Sequence, residues 1–108
     1  MGMIDLADFK KLDMRIGKII SAEKIDGTEK LLKLQVDFGS EKRQIVSGLA
    51  QYYQPEFLLG KEYPFLLNLA YKIIRGVESQ GMILAIDSQN GPVLLNPDKV
   101  VPEGAIIR

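Results

Sequence analysis

Residues 31–38 alternate between apolar and polar side chains. One face carries Leu32, Leu34, Val36 and Phe38, and the other, mostly polar, carries Leu31, Lys33, Gln35 and Asp37. Successive side chains of a β-strand point to opposite faces, so the run predicts a strand with one face in the core and the other in solvent. Gly39 and Ser40 turn the chain, and residues 43–47 are predicted to return as the partner strand of a hairpin.

The segment before this hairpin contains a helical signal and a strand signal. Residues 5–11 begin with an aspartate and predict a helical turn capped by Asp5. Residues 14–25 predict a long first strand that bends at Gly17, because a glycine inside a strand often marks a bend or bulge. A long bent strand can serve both halves of a small barrel.

The second half of the chain predicts a short helix and two more strands. Pro55 followed by helix-forming residues predicts a helix that ends at Gly60. Residues 62–69 predict the fourth strand, with Pro64 near its beginning or on a sheet edge. Residues 82–86 are a short uncharged apolar run, which predicts a buried fifth strand.

Five main strands with a short helix between the third and fourth are the element order of an OB-fold barrel. The predicted fold class is therefore all-β, and another small barrel or a sandwich with the same strand count is the alternative. A chain of 108 residues predicts one domain, with the barrel over about residues 9–87. The apolar extension 88–108, with a possible last strand at 105–107, is predicted to cover a barrel edge or to meet a second copy of the chain.

The chain contains no histidine and no cysteine, so the commonest general base, the commonest zinc ligands and the best nucleophile are missing. A hydrolase turn of the form G-x-S-x-G around Ser79 fails, because Val77 stands where the first glycine is required. A Ser–Lys pair or a carboxylate pair stays open. We predict a binding protein with no catalytic residues, metal or cofactor.

Hydropathy and charge limit the location and the partners. No segment is long and apolar enough to span a membrane, and no signal peptide is apparent, so we expect a cytoplasmic protein without a membrane partner. The formal net charge is zero, which argues weakly against a nucleic-acid binder. Between residues 10 and 75, however, twelve Lys and Arg stand against eight Asp and Glu, which allows a modest basic face.

Four motifs occur in a fixed order along the chain. They are FKKLDMRIGKI (9–19), EKLLKLQVDFG (29–39), RQIVSG (43–48) and GVESQGM (76–82). Together they resemble the tRNA-binding domain at the C-terminus of bacterial methionyl-tRNA synthetases, which also occurs as a freestanding β subunit or a dimeric tRNA-binding protein. The resemblance implies an OB-fold and a homodimer that grips tRNA by its shape, without catalysis. Where this family often carries several basic residues, segment 69–75 carries two.

Lys30, Lys33 and Arg43 are predicted phosphate contacts on the face formed by the second and third strands of an OB-fold. The alternative for the two lysines is that they are solvated edge charges. The alternative for Arg43 is a surface ion pair with Glu41 or Asp37.

Four more candidates lie between the fourth and fifth strands. Lys72 and Arg75 are predicted phosphate contacts in that loop, and the neighbouring Tyr71 could stack on an unpaired base or pack on the barrel rim. Ser79 is predicted to donate to a phosphate or a ribose hydroxyl, or else to bond to its own backbone. Met82 is a predicted RNA contact, with a core position as the alternative.

The predicted function is noncatalytic tRNA binding by shape and backbone, as a homodimer. The expected role is to raise the tRNA affinity of methionyl-tRNA synthetase, in trans as a subunit or in cis as a domain. One rival is a protein-interaction or chaperone module on the same barrel, which an exposed apolar groove without RNA binding would favour. The other is a small enzyme, which a buried pocket with a perturbed carboxylate or lysine would favour.

Overall fold

The computed structural model describes residues 2–108, which form mainly β-strands. The two helices among these residues are α1 (Leu6–Phe9) and α2 (Pro55–Leu58). The strands are β1 (Met14–Lys24), β2 (Leu32–Asp37), β3 (Lys42–Ser47), β4 (Glu62–Leu66), β5 (Lys72–Ile74), β6 (Val77–Ser79), β7 (Met82–Ile83), β8 (Ala85–Ser88) and β9 (Gly91–Leu94). The predicted all-β class and the short helix between the third and fourth strands are confirmed.

The main sheet has five strands in the order β3-β2-β1-β4-β7, all antiparallel to their neighbours, and it curls into a nearly closed barrel. β1 pairs with β4 through its first half and with β2 through its second half, so it serves both sides of the barrel as predicted. The core contains the apolar face predicted for β2, and the rings of Phe38 and Phe65 meet edge to face with centroids 5.3 Å apart. The main core residues are Ile19, Leu32, Leu34, Val36, Phe38, Ile45, Leu49, Leu58, Tyr63, Phe65, Leu67 and Ile83.

The predicted bend at Gly17 is wrong in position, because the register between β1 and β2 shifts between Ile19 and Ser21. Gly17 itself stays in register with Tyr63 of β4. A Cβ atom at Gly17 would lie 2.5 Å from Cε1 of Phe38, closer than atoms can approach. Glycine is needed here because the Phe38 ring packs directly on the backbone.

Pro64 explains why the fifth strand is shorter than predicted. It lies in the middle of β4, which has a neighbour on each side, so neither an edge nor a strand start describes it. Its carbonyl accepts a hydrogen bond from Leu84 N at 3.0 Å, but proline has no N–H to return the bond, and the β4–β7 ladder ends there. The prediction of one buried strand over 82–86 is therefore wrong beyond Ile83. The chain continues into β8, where Ile86 is 49% exposed.

The remaining strands form two small hairpins, β5–β6 and β8–β9, outside the barrel sheet. The predicted strand at 105–107 is reduced to a single bridge between Ile106 and Arg15. Beside it, Gly104 N donates to the Ile16 carbonyl at 2.8 Å, so the tail runs along the first half of β1.

The N-terminal turn has the predicted cap. Asp5 Oδ1 accepts a hydrogen bond from Asp8 N at 2.9 Å at the start of α1. After the helix, Asn68 accepts from Asp13 N at 2.8 Å and donates to the Lys11 carbonyl at 2.6 Å. These bonds hold the turn against the end of β4.

Candidate functional site

The outward face of β2 carries the first predicted phosphate contacts. Lys33 faces Glu23 across the β1–β2 ladder, and its Nζ lies 2.7 Å from the Glu23 carboxylate. An exposed pair of this kind contributes only about 0–1 kcal/mol, so a phosphate can displace the glutamate. Lys30 is exposed just before β2 and makes no ion pair within residues 2–108. Its amide donates to Thr28 Oγ1 at 3.2 Å and its carbonyl accepts from Ala50 N at 3.1 Å, which fixes its backbone.

Arg43 on β3 is in a different environment from the lysines, because its side chain is only 17% exposed. Its Nη1 donates to the carbonyls of Leu67 at 2.7 Å and Gln80 at 3.0 Å. Its Nε donates to Glu41, the partner in the alternative interpretation. The guanidinium carbon also lies 5.9 Å from the ring centroid of Tyr71, within range of a cation–π interaction.

The second group of predicted contacts lies on the β5–β6 hairpin, where the sequence predicted a loop. Ile74 pairs with Val77, so the turn consists of Arg75 and Gly76 alone, with φ of 53° and 78°. Positive φ at both turn residues matches the twist of the flanking strands, which gives the tip a defined geometry. Lys72 and Arg75 are exposed, and neither makes an ion pair within residues 2–108.

Apolar and aromatic side chains flank Lys72 along the hairpin. Tyr71 and Ile73 are exposed on the hairpin. A groove of about 320 Å³ lies between the hairpin and the barrel, and its lining includes Leu69, Met82 and Lys72. Met82 is 44% exposed here, so it lies at the surface and not in the core.

Ser79 is placed differently from its predicted role as an RNA contact, since it is only 6% exposed. Its Oγ accepts a hydrogen bond from Val46 N at 3.0 Å and donates to the Gly81 carbonyl at 3.1 Å. A buried hydroxyl with both partners offers no surface to a phosphate or ribose. This burial and these bonds fit the alternative of a hydroxyl bonded to backbone better than an RNA contact.

Three glutamines hold the seam between β3 and β6, and no sequence pattern points to them. Gln44 N donates to Gln80 Oε1 at 3.0 Å, and Gln80 N donates to the Gln44 carbonyl at 2.8 Å. Gln44 Nε2 donates to the Glu78 carbonyl at 2.8 Å, and Gln35 Nε2 donates to Gln44 Oε1 at 3.1 Å. An outward-facing glutamine on a strand is normally taken as solvated, and its partner here is 36 residues away in the chain.

The exposed side chains of this surface are mainly cationic, aromatic and apolar. Within residues 2–108 no cluster of three or more His, Cys, Asp or Glu side chains could hold a metal ion. In the same part of the chain, no helix is long and apolar enough to cross a membrane. Unpaired cations beside an exposed aromatic ring and an apolar groove suit a polyanion that also presents flat rings.

One family and several known proteins are similar to this chain. Residues 14–106 match the model of the tRNA binding domain family. A methionine–tRNA ligase of Methanothrix thermoacetophila is 51% identical over 106 residues, which are 98% of this chain and 16% of that relative.

Two solved structures cover the whole fold. A MetRS-related protein from Pyrococcus horikoshii has a TM-score of 0.94 and 43% identity, with 100% of both chains covered. The chaperone CsaA from Bacillus anthracis has a TM-score of 0.89 and 29% identity, covering 99% of this chain and 100% of that one. The chain thus spans the whole of both solved chains, whereas it spans only 16% of the ligase.

Proposed function

Because the chain belongs to the tRNA binding domain family and is homologous to the C-terminal domain of methionine–tRNA ligases, we propose that it binds tRNA by shape and backbone and catalyses no reaction itself. Folded RNA presents phosphates and 2′-hydroxyls to a protein more readily than base edges. A surface of separate cations at fixed positions suits such a target.

The observation that supports this proposal most strongly is the pair of unpaired cations on the β5–β6 hairpin. Lys72 lies on β5 and Arg75 in the two-residue turn, so the backbone that carries both exposed side chains is already ordered before binding. Lys30 and Lys33 extend the basic surface along β2, with Lys33 exchanging its glutamate for a phosphate. Tyr71 is proposed to stack on an unpaired base or sugar beside them.

Met82 adds an apolar contact at the mouth of the neighbouring groove. A thioether is polarizable and adapts its shape, so it can pack on the flat face of a base that leaves the RNA stack. Its contribution is independent of salt, unlike that of the cations.

We also propose that the protein acts as a homodimer. Leu6, Leu12 and Ile106 are exposed and line one common depression formed by α1 and the C-terminal extension. A second copy that covers this surface would bring two hairpins to one tRNA, and effective concentration would then strengthen binding through two modest interfaces. Light scattering coupled to size-exclusion chromatography measures the molar mass of the protein and so tests for the dimer. Ile106→Lys is expected to shift the dimer towards the monomer.

The biological role we propose is to raise the affinity of methionyl-tRNA synthetase for tRNA in the cytoplasm, as a subunit in trans or a domain in cis. The chain spans 16% of the length of the similar ligase. The test adds the purified chain to a synthetase that lacks such a domain. A lower KM for tRNA with unchanged kcat is expected.

The experiment that tests RNA binding compares unfractionated tRNA, an RNA duplex of similar length and single-stranded RNA in a gel-shift assay at low and physiological salt. Preference for folded tRNA that weakens with salt is the expected result. Equal binding of all three RNAs would contradict recognition by shape. No binding at low salt would contradict RNA binding altogether.

The alternative function is a protein-interaction or chaperone module. The apolar groove beside Met82 and the similarity to CsaA favour it. The test attaches an environment-sensitive dye at residue 82 and adds an extended apolar peptide. Quenching of the dye by the peptide, in a protein that does not bind tRNA, would support this alternative.

A further inference from the structure

The side chain of Arg43 joins the two ends of the segment that carries the β5–β6 hairpin. This segment leaves the barrel after Leu67, at the end of β4, and returns at Gln80, at the end of β6. The Nη1 atom of Arg43 donates to the carbonyl of Leu67 at 2.7 Å and to that of Gln80 at 3.0 Å. A single nitrogen on β3 therefore closes the base of the hairpin.

Most of the hydrogen-bonding capacity of this guanidinium is already used. Of its five N–H groups, the two on Nη1 bond to the carbonyls and the one on Nε bonds to Glu41. With the side chain 17% exposed, an approaching phosphate would meet the Glu41 carboxylate and would compete with bonds that are already made. Arg43 is therefore poorly placed for the phosphate contact predicted from the sequence.

Arg43 also lies under the aromatic ring that begins the hairpin. Its guanidinium carbon is 5.9 Å from the Tyr71 ring centroid, so the ring is held on the same side chain that bonds to both ends of the segment. One residue, Arg43, thus contacts the backbone at Leu67 and Gln80 and the ring of Tyr71, and it holds all three in position.

We infer that Arg43 is a positioning residue for tRNA binding, which holds the hairpin so that Lys72 and Arg75 reach phosphates and does not contact phosphate itself. The inference rests on the proposed function. It requires arginine and not merely a positive charge, because the planar guanidinium bonds to two carbonyls and to Glu41 while it lies within 5.9 Å of the Tyr71 ring centroid, a fixed geometry that a lysine ammonium does not reproduce.

A cycle of variants tests this inference with unfractionated tRNA. The proteins are the wild type, Arg43→Ala, Arg43→Lys, the double variant Lys72→Ala/Arg75→Ala, and the triple variant that adds Arg43→Ala. Both Arg43 variants are expected to weaken binding at least fivefold, and the triple variant is expected to bind as the double variant does. Residues that act through one another are non-additive in this way.

Amide hydrogen exchange provides a readout that does not depend on RNA. In Arg43→Lys, which keeps the charge and is the variant to use if Arg43→Ala does not fold, the amides of β5 and β6 are expected to exchange at least tenfold faster, while those of β2 are unchanged. Lys42→Ala is the matched control, because Lys42 is the exposed neighbour on β3 with no ion pair within residues 2–108. It should leave exchange in the hairpin unchanged.

Three results would overturn the inference. If Arg43→Ala weakens binding and Arg43→Lys does not, or if Arg43→Ala weakens the double variant as much as it weakens the wild type, Arg43 contacts phosphate directly. If the double variant loses affinity and neither Arg43 variant does, the positioning role alone fails. If the double variant binds as the wild type, the hairpin interface of the proposed function fails, and the role of Arg43 fails with it.

Discussion

Removal of both hairpin cations, in the variant Lys72→Ala/Arg75→Ala, tests the proposed interface at its most exposed point. The two side chains have no partners among the ion pairs of residues 2–108, so their loss costs the folded protein little. A fall in tRNA affinity can therefore be assigned to lost phosphate contacts.

The size of the effect follows from counterion release. The slope of log K against log salt is negative, and each lost phosphate contact reduces its magnitude by about 0.7–0.9. Two lost contacts therefore reduce it by about 1.4–1.8. If the wild type and the variant bind tRNA with equal affinity at 1 M salt, this difference in slope makes the variant about 25- to 60-fold weaker at 0.1 M salt. The loss of binding free energy is about 2 kcal/mol.

Fluorescence anisotropy of labelled tRNA, titrated at four or more salt concentrations, measures both the affinity and the slope. Lys42→Ala/Lys99→Ala removes the same charge from β3 and the tail, and it should leave the slope within about half a unit of wild type. An unchanged slope in a folded hairpin variant would refute the assignment. An equal loss in the control variant would show that only total charge matters.

The remaining predictions concern stability. Gly17→Ala should cost about 1–3 kcal/mol in urea unfolding, because its Cβ would lie 2.5 Å from the Phe38 ring. Arg75→Asn should stabilise the protein by up to about 1 kcal/mol, since asparagine tolerates the left-handed φ of 53° better, while tRNA binding weakens. Burial, and secondarily the charge of Tyr53, raises the pKa of Tyr63 above 10.0. The folded state therefore holds this proton more tightly, so the stabilisation is complete below pH 10 and is lost as the pH rises through the folded-state pKa. Tyr63→Phe should remove that loss in urea unfolding at alkaline pH.

The alternation of β2 sufficed to predict its buried face, because a period of two with one apolar face has a single solution in a sheet. Gly17 shows where the pattern stops being informative. A glycine in a strand can serve a bend or a close contact, and the sequence is the same in both cases. The contact with the Phe38 ring, which follows β2, is what requires glycine at position 17. No neighbour of Gly17 in the chain indicates this contact.

The same limit applies to the candidate site. Exposure of Lys72 and Arg75 followed from their position between two strands, although the hairpin that holds them did not. For Arg43 and Ser79 the polar pattern indicates only a side chain outside the core. Each has one partner two residues away, but the partners that bury them are 24 to 37 residues away, so the pattern could not separate a ligand contact from a structural bond.

The register of the hairpin resolves the conflict between zero net charge and the binding of a polyanion. Lys72 pairs with Ser79, and Ile73 pairs with Glu78, so Lys72 and Glu78 lie on opposite faces of the two strands. The acidic side chain thus faces away from the cation that lines the groove, and it accepts a hydrogen bond from Gln80 Nε2 at 3.1 Å. Since a slip of one residue would exchange the faces, the two-residue turn at Arg75 and Gly76 that sets the register of the hairpin also determines which charge faces the groove. Affinity then depends on local unpaired charge, which a sum over the whole chain does not report.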